Sequence, residues 1–251
     1  MLDFLNEKHD KFNNPSFIEL DPISVPHRFS KQEDREIAGF FAAVMAWGQR
    51  KTVLNNANRL MHWMDEEPHN FLMNHSKADL KPFGKFVHRT FNGEDCLYFM
   101  RSLRNIYEVH GGLSGAFQQV IKPEDEHVGN ALVAFRTVFF ELPHAQRTEK
   151  HVSSPLSNSA CKRLTMFLRW MVRSDKRGVD FGIWKGIRPS QLICPLDVHS
   201  GRVARRMGLL ERPQDDWKAA LELTAKLREY APDDPVKYDF ALFGLGVQEK
   251  F

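Results

Sequence analysis

Cysteine is scarce in these 251 residues. Only Cys96, Cys161 and Cys194 occur, far apart and without a CxxC pair. That spacing excludes a disulfide scaffold and a cysteine metal cluster, and it fits a reducing compartment. No pair of histidines has convincing metal-ligand spacing and no glycine-rich phosphate loop is present, so neither a metal nor a cofactor is expected. Long apolar runs are missing too, which excludes a membrane-spanning helix. The start, Met1-Leu2-Asp3-Phe4-Leu5-Asn6-Glu7-Lys8, lacks a basic region followed by an apolar run, so no secretory signal is expected. Charge of one sign is not in large excess, with a formal net charge of only +3. Internal repeats, low-complexity segments and a clear linker are also absent. A cytoplasmic, monomeric protein with no membrane partner is the expectation.

What is present is an ordinary globular composition, 42% hydrophobic and 27% charged, long enough to bury a core without disulfides. The periodicity is helical almost throughout. Helices are predicted over 33–47, 53–64, 96–109, 113–120, 126–140, 160–173, 198–207, 217–230 and 236–243. Ser30 to Glu33 fits a capping box for the first, and Gly244 and Gly246 are expected to end the last. Two segments, 17–25 and 83–91, read as weakly extended. The segments 153–159 and 174–192 read as loops, the second long enough to be functional or packed by its own side chains. The expectation is an all-α body of two lobes with a central cleft. One domain, 1–251, is expected, with 33–150 as the first lobe, then a segment 151–212 and closing helices 213–251.

The basic residues are unevenly spread. Lys162, Arg163, Arg169, Arg173, Lys176, Arg177, Lys185, Arg188, Arg202, Arg205, Arg206 and Arg212 crowd into a stretch whose acids are Asp175, Asp180, Asp197 and Glu211. Such a half within a near-neutral chain is the footprint of a polyanion partner. It is equally that of a surface balanced by acids folded in from elsewhere. Inside it lies the most informative segment, Cys194-Pro195-Leu196-Asp197-Val198-His199-Ser200-Gly201-Arg202-Val203. Asp197 stands where a helix N-cap belongs, with Val198, Val203, Ala204 and Met207 as the apolar side behind it.

Three segments together resemble one family, the helix-hairpin-helix base-excision DNA glycosylases of the endonuclease III, MutY and 8-oxoguanine glycosylase types. The first is Asp197-Val198-His199-Ser200-Gly201-Arg202-Val203, similar to the run that carries the family's essential aspartate. The second is Phe41 to Thr52, an apolar helix leading to Gln49 and a polar turn before another helix. The third is Tyr238 to Gly246, similar to the closing helix of MutY-like members. Two departures stand beside these. The hairpin stretch Ser157-Asn158-Ser159-Ala160-Cys161-Lys162 has no glycine, and 35 residues separate Lys162 from Asp197. The archaeal 8-oxoguanine glycosylases, which share a long interval and an atypical hairpin, are closest in layout. No cysteine follows Cys194, so the iron–sulfur cluster of some members is not expected.

The resemblance implies a bacterial cytosolic or nucleoid enzyme that removes a damaged base, an oxidised purine by analogy, from double-stranded DNA with a damaged or mispaired base. AP lyase activity would accompany it if an amine serves as nucleophile. Cleaving an N-glycosidic bond builds positive charge on the sugar, and a carboxylate beside it stabilises that state. Asp197 is the candidate for this role and Lys162 the candidate amine nucleophile. His199 and Arg202 are expected to support Asp197, with Arg202 pairing to one of Asp233, Asp234 or Asp239. Gln49 is the candidate wedge left behind by a flipped base. Arg50, Lys51, Arg163, Arg205 and Arg206 are expected on phosphates, and Trp47, Trp170 and Trp184 as a stacking wall. The alternative is a helical nucleic-acid-binding protein on the same scaffold, without turnover.

Overall fold

The computed structural model describes residues 1–249 and 251. Among these, α-helices follow one another as α1 (Leu2–Phe12), α2 (Ser24–His27), α3 (Gln32–Val44), α4 (Arg50–Trp63), α5 (Pro68–Asn74) and α6 (Gly93–Val109). Then come α7 (Gly112–Gln118), α8 (Gly129–Phe139), α9 (Lys162–Val172), α10 (Val198–Arg206), α11 (Trp217–Tyr230) and α12 (Asp239–Val247). No strand occurs among the described residues, only two isolated bridges. The all-α expectation therefore holds. No helix there is long and apolar enough to cross a membrane.

The chain divides into two compact units, each made of discontinuous segments. One holds Leu20–Val120 and Ala134–Val152. The other holds Met1–Glu19, Ile121–Val133 and Ser153–Phe251, so the boundary falls within α8.

In the first of these units, phenylalanines form the core. Phe40 of α3 stacks on Phe99 of α6 at 5.9 Å and meets Phe135 and Phe139 edge-on or tilted. Each such buried ring contributes about 1.5–3 kcal/mol. Asn92 and Asp95 form a capping box at the start of α6. Asp95 has no exposed surface and also accepts from Thr148 (2.8 Å) and Arg147 (2.7 Å), with His151 at 3.2 Å. A buried carboxylate needs such partners, and these tie the 3-10 turn Gln146–His151 to α6.

In the other unit, α12 packs against α1 and α10. Two glycines make this possible. A Cβ on Gly244 would sit 2.1 Å from the Phe12 ring, and one on Gly246 would sit 3.1 Å from the His199 carbonyl oxygen. They therefore lie inside α12 rather than ending it, which corrects the sequence expectation. Close helix approach, not a helix stop, is what these glycines serve.

Other expectations also change. Lys31, not Ser30, is the N-cap of α3, and it makes no side-chain cap bond. Residues 17–25 are not extended. The Asp21 carboxylate accepts from the Ile23 amide at 3.0 Å and opens α2. Residues 83–91 hold a 3-10 turn and a tight turn in which His88 and Phe91 exchange two backbone bonds. Helices α1, α2 and α5 had no sequence prediction.

Candidate active site

Helix α9 begins without a glycine in the turn before it. Asn158 (φ +55°) and Cys161 (φ +51°) take the left-handed conformation instead. Asparagine tolerates it well, cysteine less so. The turn is held by the Trp217 amide donating to the Asn158 carbonyl at 3.2 Å and by Asn158 Nδ2 donating to Asp216 at 3.0 Å. Cys161 is the N-cap, and its side chain makes no cap bond.

Lys162 is the first residue of α9, and its amine lies 3.6 Å from Asp197 Oδ2. It also points back along its own helix to Met166 Sδ at 3.5 Å. Both members of the pair are partly accessible, with 23% and 27% of their side chains exposed. Asp197 caps α10. Its Oδ1 accepts from the His199 amide at 2.9 Å and the Ser200 amide at 3.1 Å, while Ser200 Oγ accepts from the Asp197 amide. Burial pushes the Asp197 carboxyl upward, but the Lys162 ammonium and the two amides outweigh it. The net shift is below the ordinary carboxylate range. An anion is thus fixed in orientation by one oxygen, with the other turned to a primary amine.

Behind this pair runs a buried ionic network. Positions 162, 166, 169 and 173 fall on one face of α9. Arg169 reaches Asp180 at 3.3 Å and also hydrogen-bonds Asp239. Arg173 reaches Asp175 (2.8 Å), Asp180 (3.1 Å) and Asp234 (2.9 Å). The long 174–192 segment supplies part of this network and folds back on α9. The Phe181 and Trp184 amides donate to the Trp170 and Met171 carbonyls.

The remaining sequence candidates divide. The His199 ring is exposed, and the residue acts on Asp197 through its backbone amide. Among the described residues no acid pairs with Arg202. It donates to the Gly246 carbonyl at 3.1 Å, because α12 lies against its helix. Asp234 and Asp239 are taken by Arg173 and Arg169. Val198 is 70% exposed rather than behind Asp197. Trp170 and Trp184 are 0% and 1% exposed, so neither presents a ring face to a base, and these two members of the stacking wall are corrected to core. Arg205 is ion-paired with Asp215 at 2.7 Å, and Arg206 lies over the Phe251 ring at 4.9 Å. Arg163 is half-buried, and burial lowers its proton affinity. Arg177 and Arg212 also meet acids from outside the basic stretch, Asp10 and Asp216. Folded-in acids therefore neutralise much of the basic half.

In the other unit, Gln49 is exposed and is the N-cap of α4, not the end of α3. Gly48 before it has φ +100°. Lys51 is exposed and Arg50 half-exposed on the first turn of α4. Trp47 is half-buried, with His88 edge-on at 5.6 Å and the Arg89 guanidinium 4.9 Å from its ring. Arg89 itself has φ +55° and is exposed. Sequence reading missed Arg89, because a tight turn at 88–91 carries no glycine to mark it. It also missed Met166 and Arg169, for which the i+4 and i+7 spacing from Lys162 was the available signal. No group of three or more His, Cys, Asp or Glu side chains placed to hold a metal occurs among the described residues.

A family model described as protein of unknown function (DUF2400) matches residues 21–248, and the chain belongs to that family. No curated protein and no solved structure matches it.

Proposed function

We propose that this chain is a base-excision DNA glycosylase of the helix-hairpin-helix kind, with Lys162 as nucleophile and Asp197 as the anion that stabilises the sugar. The observation that carries the reading is the 3.6 Å approach of the Lys162 amine to an aspartate capped on its other oxygen.

The chemistry follows from the pair. With a damaged nucleotide extruded from the duplex, the Lys162 ammonium first gives one proton to water, and the resulting neutral amine forms a bond to C1′ as the bond from C1′ to the base breaks. The base leaves with the electron pair and takes up a proton. Positive charge on the sugar at this stage lies near the Asp197 anion, whose low proton affinity keeps it charged. The Lys162 nitrogen then loses one proton, and opening of the sugar ring, with the ring oxygen taking up a proton, leaves an iminium link between Lys162 and the sugar that keeps the remaining N–H. Loss of a C2′ proton to water with departure of the 3′ phosphate would then nick the strand, and addition of water to the iminium would free the enzyme. Gln49, Arg50, Lys51 and Arg89, at one end of α4 and the neighbouring turn, are the proposed DNA contacts of the other unit.

The test is a panel of duplexes each carrying one lesion, oxidised purines first, scored for free base, strand nicking and borohydride trapping. A trapped adduct whose peptide maps to Lys162 is the expected result. Absence of base release from every lesion, with DNA binding intact, would leave a nucleic-acid-binding protein without turnover.

A further inference from the structure

The Lys162 amine has two hydrogen-bond or ion-pair partners among the described residues. Asp197 Oδ2 lies 3.6 Å away, and Met166 Sδ lies 3.5 Å away on the next turn of α9. The second contact does not follow from the helix alone. Side chains of an α-helix lean toward its N-terminus. That lean carries Met166 back over residue 162. It would carry a lysine at the first position off the end of the helix and into water. The amine is instead drawn in over its own helix, against the thioether of a residue only 7% exposed. A lysine ordinarily keeps its charged head in water and buries only its stem. Here the head meets a sulfur and a carboxylate, and 23% of the side chain stays accessible.

We propose that Met166 is a positioning residue for the Lys162 amine, acting together with Asp197 to fix where the lone pair of the neutral amine points. This rests on the glycosylase reading for what the amine attacks, but not for how the amine is held. An ammonium has three N–H groups. One is directed to Met166 Sδ and a second faces Asp197 Oδ2, which leaves the third on the accessible side. The proton given to water is that third one. The lone pair it leaves therefore opens toward an incoming sugar carbon rather than toward the protein. A thioether suits this place because it is a weak, uncharged acceptor. It aims an N–H without adding a second anion that would hold the amine in its charged form. Leucine would fill the same space without an acceptor, and the nitrogen would be free to turn about its Cε bond.

The experiment reads the motion of the Lys162 side chain. Protein carrying isotope-labelled lysine is measured by NMR relaxation, with the Lys162 signal assigned by its loss in Lys162→Gln. The order parameter of the Lys162 Cε methylene should be at least about twofold that of the exposed Lys51, and in Met166→Leu it should fall close to the Lys51 value. The backbone amides of α9 should keep their order in that variant, since exchanging Met for Leu conserves volume. With a lesion that the wild type processes, Met166→Leu should slow single-turnover borohydride trapping about tenfold while duplex affinity stays within about twofold. A wild-type Lys162 as mobile as Lys51 overturns the proposal with no variant needed. So does an order parameter, or a trapping rate, that Met166→Leu leaves unchanged. Slower trapping accompanied by loosened α9 amides would make Met166 a packing residue only. If the wild type traps nothing with any lesion, the glycosylase reading fails, and the relaxation measurement still decides how Lys162 is held.

Discussion

Lys162 and Asp197 meet where two helices begin. The amine opens α9, the carboxylate caps α10, and 3.6 Å separates them. The helix dipole favours Asp197 and opposes Lys162, since both sit at positive ends. A cation placed at a helix N-terminus gains nothing locally. Its placement is explained by the carboxylate opposite.

Replacing that amine separates chemistry from binding. Lys162→Gln should abolish borohydride trapping with any lesion the wild-type protein processes. Its stability should change by no more than ~1 kcal/mol, because the ion pair is partly exposed. Fluorescence-detected DNA binding should shift less than tenfold. Trapping that persists in this variant would assign the adduct to another amine.

Asp197→Asn tests the second member. Asparagine is also a good N-cap, so the unfolding free energy from urea titration should change by about 1 kcal/mol or less. Base release should fall by two or more orders of magnitude, by comparison with the loss of one electrostatic group in other active sites. The opposite pattern, unfolding with turnover per folded molecule preserved, would mean that Asp197 is only a cap.

Much of this was legible in the sequence. Apolar periodicity placed α3, α4, α6, α9, α10 and α11 within a few residues, because one buried face repeats along each. Asp197 was readable as a cap because Asp, a short helix and an apolar stripe coincide. What could not be read was long-range pairing. Arg169 and Arg173 look like solvated residues of a basic stretch until Asp234 and Asp239, some 60 to 70 residues on, fold against them. Arg205 and Arg212 are spent closer by, on Asp215 and Asp216, ten and four residues on. Gly244 and Gly246 read as a helix end because their partners, Phe12 and His199, are remote or on another helix. Helix α1 escaped notice because nothing within its own residues shows that α12 covers it.

The contrast between buried and exposed arginines is measurable. Arg173→Met leaves the buried Asp180, with Asp175 and Asp234, short of a cation, and should cost about 3–5 kcal/mol. Arg205→Ala removes a pair about one quarter exposed and should cost under ~1 kcal/mol. Equal losses in guanidinium unfolding would show that the Arg173 network is not a load on the fold.

DNA binding should follow the charges that remain uncommitted. Affinity for duplex should fall steeply with salt as counterions are released. Lys51→Ala should weaken binding across sequences alike and reduce the slope of log K against log salt by about 1. Gln49→Ala, which removes no charge, should leave that slope unchanged while lowering base release. A slope indifferent to Lys51 would remove the first turn of α4 from the DNA interface.

Asp197 and Asp239 should pull the pH dependence of stability in opposite directions. Asp239 is raised to about 6 in the folded chain from an ordinary 3.8, so the native state holds its proton more tightly than the unfolded one. Its contribution is fully present below the unfolded value and is lost as pH rises through about 6, at up to ~1.4 kcal/mol per pH unit between the two. Asp197 lies below its ordinary value, so its contribution is present above 3.8 and is lost as pH falls through the folded value. Urea unfolding should therefore find Asp239→Asn gaining on the wild type as pH rises from about 4 to 6, whatever the constant cost of the altered Arg169 contact. Asp197→Asn should instead close its gap to the wild type as the medium becomes more acid than pH ~4. A difference between wild type and Asp239→Asn that is the same at every pH would mean that Asp239 does not titrate in this range.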